Sequence, residues 1–390
     1  MKIISLIIFT FSICLSCNTV RRDYERLMGS QVIFPETLQK VMKYLIICVM
    51  FFSGATLMSC TPKKYNFCGM HSYPIPQKIY GEVLNNEFMF SWPKDILITD
   101  SLIVIHDSYN QKYGLHIFRK RDGQWLKSFG CRGRGPGEYI IINSVSLDKD
   151  NNIITYDPNL KRITSYNLSK ILTDENGVNH EYIVDFTPNF IKKVFPKGEQ
   201  FIIKGNDASM RYGLWNHGNN NVQGAFIEYP NYTKDEQANW AICDYSTKEK
   251  ISANEKYMVF ASYIGASLEL FEINDKEITS IACKHIFEPE FEYVKGATPR
   301  WVKPIDSTII GFEDVCITDS YIYGLLWGVK RAEMEVNSPV LVRYDYDMKV
   351  NNVYKTIENL ETFVVDNDNC MYAVGKDLNG EYKLLKYQLK

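Results

Sequence analysis

The residues best suited to chemistry in this chain form a glycine-rich run, FGCRGRGPGEY, at positions 129–139. Its glycines and charged residues include Arg132, Gly133, Arg134, Gly135, Gly137 and Glu138. A phosphate loop needs GxxxxGK[ST] or GxGxxG between a strand and a helix. Here a strand pattern follows the glycines, with no Lys-Ser or Lys-Thr pair, so the run predicts a sharp turn. Its charged residues are expected to pair with neighbouring elements or to contact a ligand.

Metal and nucleophile signatures are sparse. The six histidines share no ligand spacing, and no GxSxG, HExxH or EF-hand pattern occurs. Four acidic residues near strand ends could ligate calcium if they converged: Asp107, Asp157, Asp314 and Asp366. Acidic residues also form turns, so no cofactor is expected, and calcium belongs to an alternative, metal-dependent function. Cys14 and Cys17 have CxxC spacing inside an apolar leader, and no disulfide pair is predicted from the ten cysteines.

Aromatic and basic residues in the connecting segments are the main binding candidates. Those selected, beside Arg132, Arg134 and Glu138, are Arg211, Tyr212, Trp240, Arg300 and Trp301. Aromatic faces next to hydrogen-bonding groups suit sugar rings or peptide segments. The insertions Pro230–Ser246 and Glu288–Ser307 are expected on one rim, where Trp240 and Trp301 would form a partly exposed surface. The alternative is that each aromatic simply packs against its own repeat.

The elements that would position these residues are short strands. Asn143–Leu147, Asn152–Tyr156 and Arg162–Asn167 are separated by turns rich in Asp and Asn. Similar units recur along the chain and predict an all-β fold, a six-bladed β-propeller. The last blade lacks one strand. A strand around Lys78–Val83 is expected to supply it, which closes the ring and removes an exposed edge.

FGCRGRGPGEY followed by SVSLDKDNNIITYDPNLKRITSYNL resembles an NHL-type repeat. With the leader described next and the weak six-fold repetition, the chain resembles the six-bladed, TolB-like β-propeller lipoproteins of Bacteroidetes. The resemblance is specific over this stretch and elsewhere follows strand spacing. It implies the fold and an envelope location more than any activity.

The N-terminus contains two signal-like segments, Met1–Cys17 and Met42–Cys60. Each has a positive start, an apolar run and a terminal cysteine, and both resemble bacterial lipoprotein signals. Neither run reaches the ~20 apolar residues of a membrane span. The second fits better, which predicts Cys60 as the lipidated residue and residues 1–41 as a leader-like segment from a mis-assigned start or a fusion. The alternative is one signal at the start and a buried helix at 42–58.

The resulting organisation is a signal at 42–60, a linker at 61–76 and a propeller at 77–390. With 44 Lys and Arg against 46 Asp and Glu, the net charge is −2, which gives no footprint for nucleic acid. The leading prediction is a monomeric outer-membrane lipoprotein, held to the membrane by its lipid anchor only. It would bind a protein or carbohydrate on its loop face. The alternative, because some six-bladed propellers are lactonases or lyases, is a metal-dependent hydrolase or lyase.

Overall fold

Short antiparallel strands account for most of the described chain. The computed structural model describes residues 68–173, 177–184, 191–207, 210–226, 228–297 and 301–390. Cys60, both signal-like segments and Arg300 lie outside the described residues. The described residues all belong to one compact unit, Lys64–Lys390. None of its described helices is long and apolar enough to cross a membrane.

Six sheets follow one another along the chain. In chain order the strands are β1 (Gln77–Lys78), β2 (Glu82–Asn85), β3 (Pro93–Ile98), β4 (Leu102–Asp107), β5 (Tyr113–Arg119), β6 (Trp125–Cys131), β7 (Ser144–Leu147), β8 (Ile153–Asp157), β9 (Arg162–Tyr166), β10 (Val178–Ile183), β11 (Ile191–Lys197), β12 (Gln200–Asp207), β13 (Met210–Asn216), β14 (Asn221–Phe226), β15 (Lys248–Ile251), β16 (Tyr257–Ala261), β17 (Ser267–Ile273), β18 (Ile278–His285), β19 (Glu292–Tyr293), β20 (Val302–Lys303), β21 (Phe312–Ile317), β22 (Ile322–Leu326), β23 (Val340–Tyr344), β24 (Val350–Lys355), β25 (Asn359–Val365), β26 (Cys370–Lys376) and β27 (Tyr382–Gln388). The helices are α1 (Leu168–Leu172), α2 (Glu236–Asp244) and a 3-10 helix at Arg331–Val336.

Each sheet is one blade of a ring, and its first strand lies at the centre. Blades one to four are β3–β6, β7–β10, β11–β14 and β15–β18; blade five is β21–β24 with β1 added. Blade six consists of β25, β26 and β27, with β2 as its outer strand. The six-bladed, all-β fold predicted from the sequence is therefore confirmed.

The N-terminal closure is confirmed as well, although the closing strand begins later in the chain than expected. β2 pairs antiparallel with β27 in blade six, whereas β1 pairs parallel with β24 in blade five. The outer strand of blade six therefore begins at Glu82 rather than near Lys78. Gly81 permits the crossing between the two blades, because a β-carbon there would lie 2.7 Å from the ring of Tyr387.

Among the strands that the sequence pattern did not predict are β13 and β15. β13 reads MRYGLWN and is buried at six of its seven positions. Both faces of a blade pack on neighbouring blades, so a central strand need not alternate apolar and polar residues. β15 reads KEKI, and its charged side chains belong to the central channel described below. Neither pattern resembles a half-buried strand.

The ring has two unlike faces. The turn face carries the connections from the first to the second strand and from the third to the fourth strand of each blade. The loop face carries the connections from the second to the third strand and those between blades. The large insertions lie on the loop face: α2 before blade four, the β19–β20 hairpin before blade five, and the 3-10 helix inside blade five.

Candidate functional site

The glycine-rich turn is held against blade two by two side chains. The Arg162 guanidinium donates to the carbonyls of Gly135, at 2.9 Å, and of Glu138. The Tyr166 hydroxyl donates to the Gly137 carbonyl at 2.9 Å. Gly137 itself has φ +71, a left-handed conformation that favours glycine. The run is thus a rigid connection between blades one and two.

The charged residues of this turn have different surroundings. The Glu138 carboxylate accepts the Gly135 N–H at 2.6 Å and fills the space beside Gly133, where a β-carbon would collide with it. Arg132 donates to the Ser108 carbonyl at 3.0 Å and lies over the Tyr139 ring. These contacts stabilise the turn. Arg134 is exposed on the loop face, where a contact with a partner stays a prediction.

Arg211 and Tyr212 were expected in a loop, but they do not lie in one. They belong to β13 and are 1% and 0% exposed. The Arg211 guanidinium donates to Glu269 at 2.5 Å and lies 4.5 Å from the centre of the Phe260 ring. Burial would lower the pKa of Arg211, but Glu269 outweighs it and raises that pKa well above its usual value. The pair is part of the packing between blades three and four.

Trp240 and Trp301 lie side by side at the loop face, with ring centres 5.9 Å apart. Trp240 is 1% exposed, so the expectation of a partly exposed ring is wrong for this residue. Trp301 is half-buried, and the Lys192 ammonium lies 5.8 Å from the centre of its ring. Trp240 is buried because α2 packs on the β19–β20 hairpin. Val302 of the hairpin and Ile264, which follows β16, pack in the same cluster.

The α2 insertion is anchored at its start. Asp235 caps the helix by accepting the N–H groups of Gln237 and Ala238 at 3.0 and 3.3 Å. The Tyr293 hydroxyl of the hairpin donates to the same carboxylate at 2.5 Å. Two insertions that are about 50 residues apart are therefore joined into one platform on the loop face.

Exposed apolar side chains are concentrated on the loop face. Of fifteen large apolar residues that are exposed in the described chain, eight lie in loop-face connections. They are Met89, Trp92, Tyr109, Ile141, Val294, Val336, Ile357 and Leu378. The turn-face connections contribute Leu172 alone among these fifteen, and the other six lie on strands or beside the N-terminal strands.

The best-defined part of this apolar surface is an aromatic pair that the sequence analysis did not select. Trp92 and Tyr109 are 40% and 60% exposed, with ring centres 4.6 Å apart. The Lys94 ammonium lies 5.6 Å from the centre of the Trp92 ring. Trp92 directly precedes Pro93 at the start of β3, and this position at a blade entrance was the available signal in the sequence.

The central channel contains buried charges. The Glu249 carboxylate is fully buried and accepts from Lys193 at 2.5 Å and from Lys204 at 2.6 Å. Two lysines of β15 cross the channel from blade four to blade one. Lys250 reaches Asp95 at 2.7 Å, and Lys248 donates to the Lys94 carbonyl at 2.9 Å.

These pairings set the direction of the pKa shifts in the channel. Burial would raise the pKa of Glu249, but Lys193 and Lys204 outweigh it and hold that pKa well below its usual range. Burial would likewise raise the pKa of Asp95, and Lys250 and Lys248 lower it instead. Both carboxylates are therefore held as anions. The charged run KEK was the sequence signal for this network, and it was not recognised.

The acidic candidates for a metal do not converge. Asp107 accepts the N–H groups of Ser91 and Trp92, and Asp157 accepts those of Ile140 and Ile141. Across the described chain, no group of three or more His, Cys, Asp or Glu side chains is arranged to hold a metal ion. Asp107 and Asp157 thus support the entrances of their blades.

A closed ring of six four-stranded units, completed by an N-terminal strand, defines a six-bladed β-propeller. The chain belongs to the TolB-like 6-blade propeller-like family, whose model matches residues 76–368. No curated protein matches the chain.

Two solved structures illustrate the similarity of the fold. One is a Bacteroides fragilis protein provisionally described as exported, with 12% identity and a TM-score of 0.52; the match covers 82% of this chain and 98% of that one. The other is the β-propeller domain of Cps50 (Swd1) from Myceliophthora thermophila, with 9% identity and a TM-score of 0.44. That match covers 80% of this chain and all of the domain. At these identities the similarity concerns the fold alone.

Proposed function

We propose that this protein is a non-enzymatic binding or scaffold module that holds a protein partner on its loop face. The observation that carries the proposal is the unequal distribution of exposed large apolar side chains among the described residues, eight in the loop-face connections against one in the turn-face connections. Exposed apolar groups gathered on one face of a folded protein are typical of interaction surfaces. Loops on a rigid scaffold are also where binding residues concentrate.

A protein partner suits this surface better than a single glycan. The exposed apolar residues are distributed around much of the ring, from Val294 before blade five to Ile141 before blade two. A surface of that extent matches the 20–30 residues that each partner contributes to a stable interface. The aromatic pair Trp92 and Tyr109 would serve as its anchor, because buried aromatics dominate the energy of such interfaces.

The proposed location is the cell envelope. Support comes from the lipoprotein-like segment Met42–Cys60 and from the exported description of the Bacteroides fragilis protein with the same fold. In this proposal the protein is a monomer that is anchored to the outer membrane through lipid on Cys60. The anchor holds it to the membrane, and the loop face remains available to the partner.

Site-specific photo-crosslinking tests the partner surface. A photoreactive phenylalanine analogue replaces Tyr109 on the loop face or, as the matched control, Leu172 on the turn face. In intact cells we expect the analogue at Tyr109 to yield a discrete product that contains a second protein. The control should yield none. Replacing Met89 and Trp92 by alanine should weaken the product from position 109.

Two outcomes would contradict the proposal. Equal products from both positions would show that contact does not depend on the face. Products at position 109 that contain only carbohydrate would instead support the glycan alternative, which glycan-array binding by the purified protein would then identify.

A further inference from the structure

The exposed aromatic pair on the loop face is part of a basic strip. The strip consists of two aromatic and four cationic residues of blade one and of its connection to blade two: Trp92, Lys94, Tyr109, Lys112, Arg132 and Arg134. All six residues are exposed. Within the described part of the chain, no carboxylate forms an ion pair with any of the four cations. The strip therefore carries positive charge that the protein itself does not neutralise.

Arg132 joins the cationic part of the strip to the aromatic pair. Its guanidinium donates to the carbonyls of Ser108 at 3.0 Å and of Asn110 at 3.2 Å, the residues on either side of Tyr109. Its backbone N–H donates to the Lys112 carbonyl at 3.3 Å. Carbonyl groups carry no net charge, so these bonds orient Arg132 without cancelling its positive charge.

Three of the four cations are held over aromatic rings. The distances from the charged group to the ring centre are 5.6 Å for Lys94 over Trp92, 5.1 Å for Lys112 over Tyr113 and 5.8 Å for Arg132 over Tyr139. Such contacts are attractive and keep a long side chain in one place. A surface whose side chains are already ordered loses less entropy when a partner binds.

Lys94 lies where the loop face meets the central channel. Its neighbour Asp95 is already paired with Lys250 at 2.7 Å. Lys248 donates to the Lys94 carbonyl at 2.9 Å and so brings a second positive charge close to it. Burial and the charges of Lys248 and Lys193 outweigh Asp95 and lower the pKa of Lys94. A carboxylate supplied from outside would relieve this repulsion.

Few carboxylates oppose the charge of the strip. The loop-face connections that carry it contain two acidic residues, Glu87 and Glu138. The Glu138 carboxylate is bonded to the Gly135 N–H inside the turn, and only Glu87 is exposed. Asp107 is buried and accepts the Trp92 N–H. The whole chain has a net charge of −2, so the positive sign is a local property of this surface.

We propose that the basic strip binds an acidic segment of the protein partner, with the carboxylates of the segment on the four cations and an apolar side chain on Trp92 and Tyr109. The proposal rests on the proposed function and adds the chemistry of the partner. Clusters of basic side chains recognise acidic peptide motifs through charge-assisted hydrogen bonds. Trp, Tyr and Arg are also the residue types enriched at protein interfaces, which favours a protein segment over a lipid surface.

Fluorescence anisotropy with the full chain in mild detergent tests the preference for acidic peptides. The probe is a fluorescein-labelled peptide of Glu-Glu-Phe-Ser repeats, compared with the same peptide carrying Gln or Lys in place of Glu. We expect the Glu peptide to bind at least about tenfold more tightly than the Gln peptide and the Lys peptide not to bind. The affinity for the Glu peptide should fall as salt is added.

Charge reversal locates the binding. Lys112→Glu with Arg134→Glu should weaken the Glu peptide by about tenfold or more, because like charges then face its carboxylates. Both side chains are exposed, so the melting temperature should stay unchanged. Lys149→Glu with Lys276→Glu is the matched control, since these exposed lysines lie in turn-face connections and the net charge changes by the same amount.

The photo-crosslinked product tests the same chemistry in the cell. Mass spectrometry identifies the partner peptide that is attached to the analogue at position 109. We expect that peptide to contain more Asp and Glu than Lys and Arg. Lys112→Glu with Arg134→Glu should reduce the product by about tenfold or more, whereas the turn-face control should not.

The proposal is overturned if the Glu peptide binds no better than the Gln peptide, or if the control loses as much affinity as the strip variant. It is also overturned if phosphatidylglycerol vesicles bind the Cys60→Ser chain, which lacks the proposed anchor, and the Glu peptide does not. A neutral or basic peptide crosslinked at position 109 would overturn the acidic segment but leave the partner surface standing. The absence of any product there would contradict the proposed function and leave the peptide titrations unchanged, so the two proposals can fail separately.

Discussion

Neutralising Glu249 should destabilise the propeller by about 3–5 kcal/mol, the cost of leaving a buried charge without its partner. The Glu249 side chain is 0% exposed and bonds two ammonium groups. Glu249→Gln keeps the shape but removes the charge. The side chain of Lys193 is 16% exposed and can regain water, whereas that of Lys204 is 4% exposed and cannot. Lys204 keeps a longer contact, 3.9 Å, with the Asp244 carboxylate. We therefore expect at most the cost of one stranded charge and not of two.

Denaturant unfolding of matched variants measures this cost. Adding Lys204→Met to the Glu249→Gln variant should recover most of the loss, because the stranded charge is removed with it. Glu272→Gln is the control: this exposed glutamate lies in the same blade and should change stability by less than about 0.5 kcal/mol.

The pH dependence gives a second measurement. The folded-state pKa of Glu249 lies below its ordinary value of 4.5, so its ionised form stabilises the fold above that pH. The stability is lost as pH falls from about 4.5 toward the folded-state pKa. Glu249→Gln should be less sensitive to acid than the wild type over this window. A loss below about 1 kcal/mol, or no recovery with Lys204→Met, would refute the reasoning.

Three further predictions concern the N-terminus and the tryptophans. Deleting Gln77–Val83 should lower the melting temperature far more than deleting residues 18–41, because it leaves the edge of β27 unpaired; equal melting temperatures would argue against closure by this segment. Trp240→Ala should cost about 3–5 kcal/mol in denaturant unfolding, and Trp301→Ala less than half of that, since only Trp240 is fully buried. Equal losses would show that both rings belong to the core. Cys60→Ser should abolish incorporation of radiolabelled palmitate, and unchanged labelling would disprove lipidation at this residue.

The blades were predictable because the turns mark their period. Asp157 shows how: its carboxylate accepts the Ile140 and Ile141 N–H groups at 2.6 and 3.2 Å, which joins the end of one strand to the entrance of its blade. Asp and Asn at such positions are visible in the sequence because their side chains bond nearby backbone groups. Closure was also predictable, since the last blade visibly lacked a strand.

The binding residues were less predictable, because the sequence does not show what covers a side chain. Arg211 was interpreted as a loop residue, although arginine can be buried where it has a partner. Its partner, Glu269, is in the next blade. Trp240 was expected at the surface because it lies in the insertion Pro230–Ser246, but the folded chain packs it with Ile264 and with Val302 of the β19–β20 hairpin.

The turn face shows why acidic turn residues cannot be sorted from the sequence alone. The Asp148 carboxylate accepts the N–H groups of Asp150 and Asn152 in its own turn, so its charge supports the blade. Asp100 and Asp368 lie in corresponding turns, yet their carboxylates make no such bond within the described residues. They belong to the first and last blades, which become neighbours only when β2 pairs with β27. The same closure that completes the fold therefore brings these two turns together.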